Sequence, residues 1–338
     1  MSAVSRSEAD AGLDRLTMAE AVADGLASEM SRDESVVVLG EDVGRNGGVF
    51  RATDGLYETF GGERVIDTPL AESGIVGSAI GLALGGMRPV AELQFLGFAY
   101  PAFDQLVSHA ARIRSRSLGQ YTCPLVVRAP YGGGIEAPDH HSESKEAFFV
   151  HEPGLKVVVP STPYDAKGLL ASAIRDPDPV IVLEPKALYR SFREDVPEEP
   201  NTVPLGEAAV RRAGADVSVF AWGAMTRPAL EAAEILDAQH GVDAEIVDLR
   251  TLSPLPVEAI ADSVCKTGRA AVVHEAPVTG GVGAEVAATI QEEALLHLEA
   301  PIERIGGLDA PFPLHALEDE YLPDADRVVE GVLETVEF

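Results

Sequence analysis

The sequence is poor in lysine and cysteine. Only five of its 26 basic residues are lysines, and only two of its 338 residues are cysteines. Cys123 and Cys265 do not form a closely spaced metal-binding pair, so neither a zinc site nor a disulfide framework is predicted, and a reducing cytoplasm is the expected location. No apolar run approaches the roughly 20 residues that a membrane-spanning helix needs. The amino terminus also lacks the apolar centre of a secretory signal.

Positive charge is scarce relative to negative charge. The chain has 26 Lys and Arg against 55 Asp and Glu, and its formal net charge is −29. Such a surface repels phosphate backbones and anionic lipid, which argues against nucleic-acid or membrane binding. An acidic, lysine-poor surface suits a cytoplasm rich in salt, because carboxylates stay hydrated and salt screens their repulsion. We therefore expect a salt-adapted, halophilic host.

Short apolar runs alternate with amphipathic stretches along most of the chain, a pattern typical of α/β proteins. The length favours two domains. We predict a flexible N-terminus at residues 1–14, a first domain at 15–189, an acidic, proline-rich linker at 190–206 and a second domain at 207–338. Each domain is expected to hold a mainly parallel sheet flanked by helices.

Some helices carry specific signals. Thr17 and Glu20 have the spacing of a capping box that starts an amphipathic helix. Pro69 is predicted to open another helix, with Glu72 in its first turn, and a long helix is predicted over residues 102–118.

A glycine-rich segment at residues 280–283 resembles a dinucleotide-binding loop. Val286 stands where the next glycine of that motif is required. A glycine-permitted turn into a helix is therefore the preferred interpretation.

Five segments, taken in order, resemble one protein family. They are residues 64–74 (Arg-Val-Ile-Asp-Thr-Pro-Leu-Ala-Glu-Ser-Gly), residues 100–105 (Tyr-Pro-Ala-Phe-Asp-Gln), His141-Ser142 with residues 146–160, residues 248–255 (Asp-Leu-Arg-Thr-Leu-Ser-Pro-Leu), and His274-Glu275. The chain resembles the β subunits of thiamine-diphosphate-dependent 2-oxoacid dehydrogenases, of the pyruvate, branched-chain and acetoin types. The resemblance implies a transketolase-like pyrimidine-binding domain followed by a transketolase C-terminal domain.

The resemblance also implies half an active site. Enzymes that use thiamine diphosphate hold its pyrophosphate through Mg²⁺, at a Gly-Asp-Gly motif followed by an Asn, and this sequence has no Gly-Asp-Gly. In the family that half, with its Mg²⁺, lies on a separate α subunit. The expected assembly is an α₂β₂ heterotetramer that works with a lipoyl acyltransferase core. The expected reaction is oxidative decarboxylation of a 2-oxoacid, followed by acyl transfer to the lipoyl group.

Three site residues follow from the family motifs. Glu72 matches the glutamate whose carboxyl bonds the cofactor's pyrimidine ring, and a buried carboxyl can keep its proton near neutral pH. Phe98 matches the aromatic residue that packs against the pyrimidine. His141 matches the loop histidine that contacts intermediates and assists acyl transfer, because an imidazole can donate to a developing oxyanion.

Each of these residues has an ordinary structural alternative. Glu72 could be an acid favoured in a first helical turn, Phe98 a core aromatic, and His141 a solvated loop histidine. For His140 the solvated loop histidine is the preferred interpretation. The family pattern is His-Ser-Gln, and Glu143 replaces its glutamine here, which leaves open how the lipoyl group docks.

The family typically has a structural potassium or sodium site built largely from backbone carbonyls. Carried over by resemblance, it involves Leu125, Val126, Ala173, Asp176 and Asp178. A simple turn at residues 176–179 is the alternative.

Three other functions stay open. An acetoin dehydrogenase β subunit carries the same motifs, and a stand-alone transketolase-like enzyme is disfavoured by the missing Gly-Asp-Gly. A non-catalytic scaffold that only docks the acyltransferase core is distinguished by substituting Glu72. The motifs do not identify the 2-oxoacid, because both subunits form the pocket.

Overall fold

A computed structural model describes residues 12–338, so most of the predicted flexible N-terminus, residues 1–11, lies outside the described residues. The strands are β1 (Leu13–Leu16), β2 (Val36–Gly40), β3 (Val65–Asp67), β4 (Arg88–Glu92), β5 (Val126–Tyr131), β6 (Lys156–Val158), β7 (Val180–Pro185), β8 (Glu194–Pro197), β9 (Ala209–Arg212), β10 (Val217–Ala221), β11 (Ala244–Asp248), β12 (Thr251–Ser253), β13 (Ala270–Pro277) and β14 (Glu303–Gly307). The helices are α1 (Met18–Arg32), α2 (Leu56–Phe60), α3 (Glu72–Leu84), α4 (Ile113–Arg116), α5 (Glu146–Val150), α6 (Pro163–Arg175), α7 (Thr226–Ile235), α8 (Val257–Thr267), α9 (Val282–Ala294), α10 (Glu318–Tyr321) and α11 (Ala325–Val336).

The first domain is built on a seven-stranded sheet with the order β12-β6-β7-β5-β4-β2-β3. All neighbouring strands in it are parallel except β12, which runs antiparallel to β6. Strand β2 and strand β5 are buried along their whole length. Their continuous apolar runs are what a parallel sheet requires, because both of its faces are covered.

The second domain holds a five-stranded sheet with the order β14-β13-β10-β11-β9, parallel except for β9 at one edge. The fold is therefore the predicted pair of mainly parallel sheets. Strand β12 belongs to the second domain in sequence, yet it completes the first domain's sheet at the β6 edge. The two domains are joined by main-chain hydrogen bonds as well as by side chains.

A small two-stranded sheet pairs β1 with β8, antiparallel. It includes Leu13 and Asp14 from the predicted N-terminal segment and residues 194–197 from the predicted linker. Neither segment has an apolar period that indicates a strand. Each becomes a strand because the other supplies its hydrogen-bonding partner, which a local pattern does not show.

Three helices were predicted individually, and the structure differs from two of these predictions. The capping box of α1 is confirmed, with the Thr17 N–H donating to Glu20 Oε2 at 2.8 Å. Helix α3 begins at Glu72 rather than at Pro69, which precedes it in a segment without regular secondary structure. The predicted helix at 102–118 is broken into 3₁₀ turns, a π turn at Gln105–His109 and the short α4. An apolar pattern does not reveal a π turn of five residues, because so short a segment covers little more than one turn.

No helix within residues 12–338 is long and apolar enough to cross a membrane.

Candidate active site

The three residues predicted to contact the cofactor or its intermediates lie beyond the carboxyl ends of strands in the first sheet. Strands β3, β4 and β5 are parallel members of that sheet. Glu72 follows β3, Phe98 follows β4 and His141 follows β5. The carboxyl ends of parallel strands meet at one edge, which is where ligands bind in open α/β sheets. The topology therefore brings the three residues to a common edge.

Phe98 and His141 are in direct contact. Their ring centroids are 5.1 Å apart in an edge-to-face arrangement. Phe95 completes the cluster, with its centroid 4.4 Å from that of His141 and 5.5 Å from that of Phe98. The Nδ1 atom of His141 is buried and has no hydrogen-bond partner among the described residues. The three rings thus form an apolar surface on which His141 Nδ1 is a polar atom without a hydrogen-bond partner in the described part of the chain.

A close backbone contact brings the two loops of this cluster together. Gly97 lies so near the His140 carbonyl oxygen that a Cβ at position 97 would overlap it. Only glycine permits this approach. The side chain of His140 is exposed, and its Nδ1 lies 3.1 Å from Asp139 Oδ1, which matches the interpretation of a solvated loop histidine.

Glu72 is the first residue of α3 and is half-buried. Its carboxylate makes no hydrogen bond or ion pair within residues 12–338. Burial, followed by the charges of Asp42 and Glu72, raises the pKa of Glu41, so two acidic side chains lie near Glu41. Helix α3 also packs against the 3₁₀ turn Tyr100–Ala102, just beyond Phe98. Within the described residues, Glu72 is therefore an unpaired acid at the start of a helix that packs against the turn following Phe98.

Glu143, which replaces the usual glutamine, is held at the edge of the site. The Tyr100 hydroxyl donates to Glu143 Oε2 at 2.6 Å, and Lys145 Nζ lies 3.6 Å from Glu143 Oε1. Burial and this hydrogen bond raise the pKa of the Tyr100 hydroxyl. The Glu143 carboxylate thus contacts Tyr100 and Lys145.

A buried ion network lies beneath the site, across the central strands. Arg128 on β5 donates to both oxygens of Glu184 on β7, at 2.7 and 2.8 Å, and to Glu92 on β4 at 2.6 Å. The Tyr189 hydroxyl donates to Glu184 Oε2 at 2.6 Å. Burial raises the pKa of the Glu92 carboxyl, which the nearby Arg128 charge opposes. A satisfied network of this kind fixes the strands that carry the site loops.

Sequence reasoning did not identify Phe95 or Lys186. The Lys186 ammonium lies 5.8 Å from the Phe95 ring centroid and donates to the Gly132 carbonyl oxygen. Burial lowers the pKa of Lys186 to about 8. One signal was available: lysine is rare in this chain, and a lysine directly after an apolar strand is an unusual place for one.

The residues carried over as a monovalent-cation site lie around the end of α6 and the starts of β5 and β7. The N–H of Val180 donates to the Leu125 carbonyl at 2.9 Å, and the N–H of Asp176 donates to that of Ala173 at 3.2 Å. Basic side chains already occupy part of this region. Lys156 Nζ contacts Asp176 Oδ2 at 2.6 Å, Arg114 Nε contacts Asp178 Oδ1 at 2.6 Å, and Arg88 donates to the carbonyls of Ile174 and Asp176.

No group of three or more His, Cys, Asp or Glu side chains in the described part of the chain is arranged to hold a metal ion.

The glycines at 280–283 have a packing role. Gly281 is the N-cap of α9, and a Cβ there or at Gly283 would lie 2.8 or 2.6 Å from the buried His274 ring. That ring stacks on Trp222 at a centroid distance of 5.3 Å, and burial lowers the pKa of His274 to about 4. The segment is a turn into a helix, as the sequence indicated.

Comparisons with known proteins cover both domains. The family model described as "Transketolase, pyrimidine binding domain" matches residues 14–191. The model described as "Transketolase, C-terminal domain" matches residues 206–328.

The chain is also similar to named relatives along nearly its full length. It is 52% identical over 324 residues to a Bacillus subtilis (strain 168) protein named "Pyruvate dehydrogenase E1 component subunit beta", covering 96% of this chain and 99% of the relative. The protein of the same name from Staphylococcus aureus (strain N315) is 50% identical, with the same coverage. A solved structure named "Split gene transketolase, inactive beta4 tetramer" matches with a TM-score of 0.79 and 26% identity, covering 96% of this chain and 99% of that one.

Proposed function

Because the chain belongs to the β subunits of the pyruvate dehydrogenase E1 component, a transketolase-like family, we propose that it forms half of an active site for oxidative decarboxylation of a 2-oxoacid, with acyl transfer to a lipoyl group. Pyruvate is the preferred substrate, because the named relatives are pyruvate dehydrogenase subunits. Branched-chain 2-oxoacids and acetoin are the alternative substrates, and the turnover test below includes them.

In the part of the chain that the structure describes, the proposal is carried by two unpartnered polar groups and an aromatic cluster at the carboxyl edge of one sheet. The Glu72 carboxylate has no partner within residues 12–338, and His141 Nδ1 is buried without one. A flat heterocycle with a polar edge, such as the aminopyrimidine of thiamine diphosphate, suits these groups and the rings of Phe95 and Phe98. When bound, thiamine diphosphate would supply a nucleophilic carbon and a sink for the electron pair that CO₂ leaves behind.

Each residue has a defined part in this proposal. The Glu72 carboxyl holds and exchanges a proton at the ring nitrogen of the pyrimidine. Phe98 packs against the ring and excludes water, which strengthens the hydrogen bond to Glu72. His141 donates to the oxygen on which negative charge develops during acyl transfer.

A partner chain is needed to complete the site. We propose an α subunit that holds the pyrophosphate and Mg²⁺, an α₂β₂ assembly and a lipoyl acyltransferase core. Leu70 and Leu84, which flank and end α3, are exposed, and Gly74 and Gly81 on this helix leave room for another chain. The tetramer of β chains in the split-gene transketolase is named inactive, which supports a β chain without turnover of its own.

Substitution of Glu72 by glutamine tests the proposal. The Glu72→Gln variant keeps the size and one acceptor oxygen but cannot exchange a proton. In the α-bound complex we expect kcat for 2-oxoacid decarboxylation to fall by about 100-fold or more. Turnover is measured with pyruvate, branched-chain 2-oxoacids and acetoin in turn, and α binding is measured by analytical ultracentrifugation.

Glu63→Gln is the matched control, because Glu63 is an exposed acid just before β3. It should leave turnover and assembly unchanged. Full activity in the Glu72→Gln complex would show instead that the chain is a scaffold for the acyltransferase core. Turnover by the purified β chain alone would refute the divided site.

We also propose the potassium or sodium site at Leu125, Val126, Ala173, Asp176 and Asp178, and a salt-rich cytoplasm as the setting. Unpaired Cys123 and Cys265 support a reducing compartment, and the net charge of −29 supports the salt. Lys156 and Arg88 contact groups of this region, so a bound cation would lie close to two basic side chains.

A further inference from the structure

Residues 132–134 are three consecutive glycines after β5, here called the glycine turn. The N–H of Gly133 donates to the Glu275 carboxylate on β13, and the N–H of Gly134 donates to the Glu318 carboxylate on α10. Both carboxylates come from the C-terminal domain and are only 4% and 2% exposed. The second oxygen of each has no hydrogen-bond partner among the described residues. The glycine turn therefore supplies a backbone donor to each of these buried acids.

The glycine turn and its surroundings fit each other closely. A Cβ on Gly132 would lie 2.5 Å from the Glu275 carboxylate, and a Cβ on Gly133 would lie 2.7 Å from the Phe312 ring. Gly132 and Gly134 have φ angles of 81° and 86°, a region that favours glycine. The conformation of the turn is thus fixed from the C-terminal domain.

The glycine turn is also the start of the loop that carries His141. The Gly132 N–H donates to the Glu143 carbonyl at 3.2 Å, which closes this loop on itself. The buried Lys186 ammonium donates to the Gly132 carbonyl and lies over Phe95. Phe95 in turn contacts the His141 ring. Two routes, one along the main chain and one through Lys186 and Phe95, connect the buried charges to the imidazole.

Domain stability alone does not account for this cluster. Two carboxylates buried beside one ammonium lose hydration, and hydrogen bonds and opposite charge only offset that loss. Apolar packing of similar volume often stabilises a contact as well or better. Apolar side chains would not, however, hold two adjacent N–H groups in fixed directions.

We propose that Glu275 and Glu318 are positioning residues that act through the glycine turn to hold His141 for acyl transfer. The inference rests on the proposed function and deepens it, since it gives the C-terminal domain control over the geometry of a residue in the other domain.

The test compares alanine and glutamine at both positions in the α-bound complex. In Glu275→Ala and Glu318→Ala, acyl transfer to a lipoyl domain should fall by about tenfold or more. Decarboxylation measured with an artificial electron acceptor should change by less than about threefold. Glu275→Gln and Glu318→Gln should restore most of the transfer rate, because the amide oxygen still accepts the N–H. The double variant Glu275→Ala with His141→Ala should be no slower than His141→Ala alone.

Hydrogen exchange gives a readout that does not depend on activity. Residues 132–144 should exchange faster in the alanine variants and normally in the glutamine variants. If the wild-type complex has no turnover, the proposed function fails, and exchange still tests the positioning. Glu293→Ala, an exposed acid on α9, is the control and should change neither readout.

Three results would overturn the inference. They are unchanged exchange in the alanine variants, an equal loss in both half-reactions, and losses that add to that of His141→Ala. Failure of both alanine variants to fold would also overturn it, because the cluster would then be a requirement for folding.

Discussion

Glu146 is a buried acid at a contact between the two domains, and its ionisation makes the stability of the fold depend on pH. It starts α5, is almost completely buried, and accepts a hydrogen bond from Trp222 Nε1 at 3.3 Å. Its other oxygen has no partner among residues 12–338. Burial, opposed by a backbone hydrogen bond, raises the pKa of Glu146 to about 7 from its ordinary 4.5. A carboxyl of this kind is more stable protonated in the folded state.

The pH dependence of stability follows from that shift. Since the folded pKa of Glu146 lies above the unfolded one, the folded state binds more protons between pH 4.5 and about 7, and this group's contribution to stability falls as pH rises through that window. Glu146→Gln cannot ionise. The free energy of unfolding of the variant minus that of wild type should be larger at pH 8 than at pH 5.5, by on the order of 1–3 kcal/mol. Urea denaturation of the full chain at both pH values measures this difference.

The matched control for this prediction is Glu292→Gln, at an exposed position on α9. Its stability difference from wild type should be the same at both pH values. If the free energy of unfolding of Glu146→Gln varied with pH as that of wild type does, Glu146 would ionise in the folded state at little cost. Burial would then not raise the pKa of this carboxyl.

At the level of single residues, predictions could be made only where a family motif marks a position. Glu72, Phe98 and His141 were predicted from such motifs, and the structure places them at one sheet edge. Phe95 and Lys186 were not found, because their contacts join β4 and β7 across the fold. No local spacing encodes a pairing of that kind.

At the level of elements, two adjacent arginines on β9 have contrasting surroundings. Arg211 pairs with Asp165 and Asp248, both buried, and contacts Asp248 Oδ2 at 2.7 Å. Asp165 belongs to the first domain and Asp248 to the second. Burial raises the pKa of Asp248, which the Arg211 charge opposes. Arg212 pairs with acids that are largely exposed.

This contrast predicts different costs for the same substitution. Arg211→Ala leaves the buried Asp248 carboxylate without its cation, while Asp165 keeps Arg250 at 3.1 Å. It should destabilise the chain by about 3 kcal/mol. Arg212→Ala removes exposed ion pairs and should cost less than about 1 kcal/mol. Denaturant midpoints with unchanged slopes measure both. Equal effects would show that the interdomain pair adds nothing beyond a surface pair.

Element prediction succeeded where one segment holds the signal. The capping box at Thr17 and the alternation of apolar runs with amphipathic stretches are local signals, and both were recognised. The strands β1 and β8 depend on each other, and the five-residue π turn at Gln105–His109 is too short for its apolar period to differ visibly from that of an α-helix. Pro69 did not mark the start of a helix, because α3 begins three residues later, at Glu72.

At the level of the whole molecule, the charge of −29 dominates the response to salt. Screening should raise the melting temperature as salt increases from about 0.1 M to about 1 M, since the Debye length falls from roughly 10 to 3 Å. KCl, NaCl and choline chloride should share this rise. A larger rise with KCl or NaCl than with choline chloride at equal ionic strength would support the monovalent-cation site.

Two results would contradict these expectations. A melting temperature that falls with every salt would oppose adaptation to salt. Identical curves in all three chlorides would leave general screening as the whole effect and would contradict the cation site.

The fold class and the two-domain order could be predicted from the alternation of apolar runs. The way in which the domains share strands could not, because β12 is three residues long and its partner β6 lies in the other domain. Its segment, residues 248–255, was recognised only as a family motif.

Strand β12 has a consequence for anyone who cuts this protein into pieces. A fragment that stops at the end of the first domain would lose the last strand of its own sheet and expose the hydrogen-bonding groups of β6. Bare sheet edges recruit other chains. The boundary between the domains in sequence therefore cuts through a shared sheet, and separately made halves should be prone to aggregate rather than to reassemble.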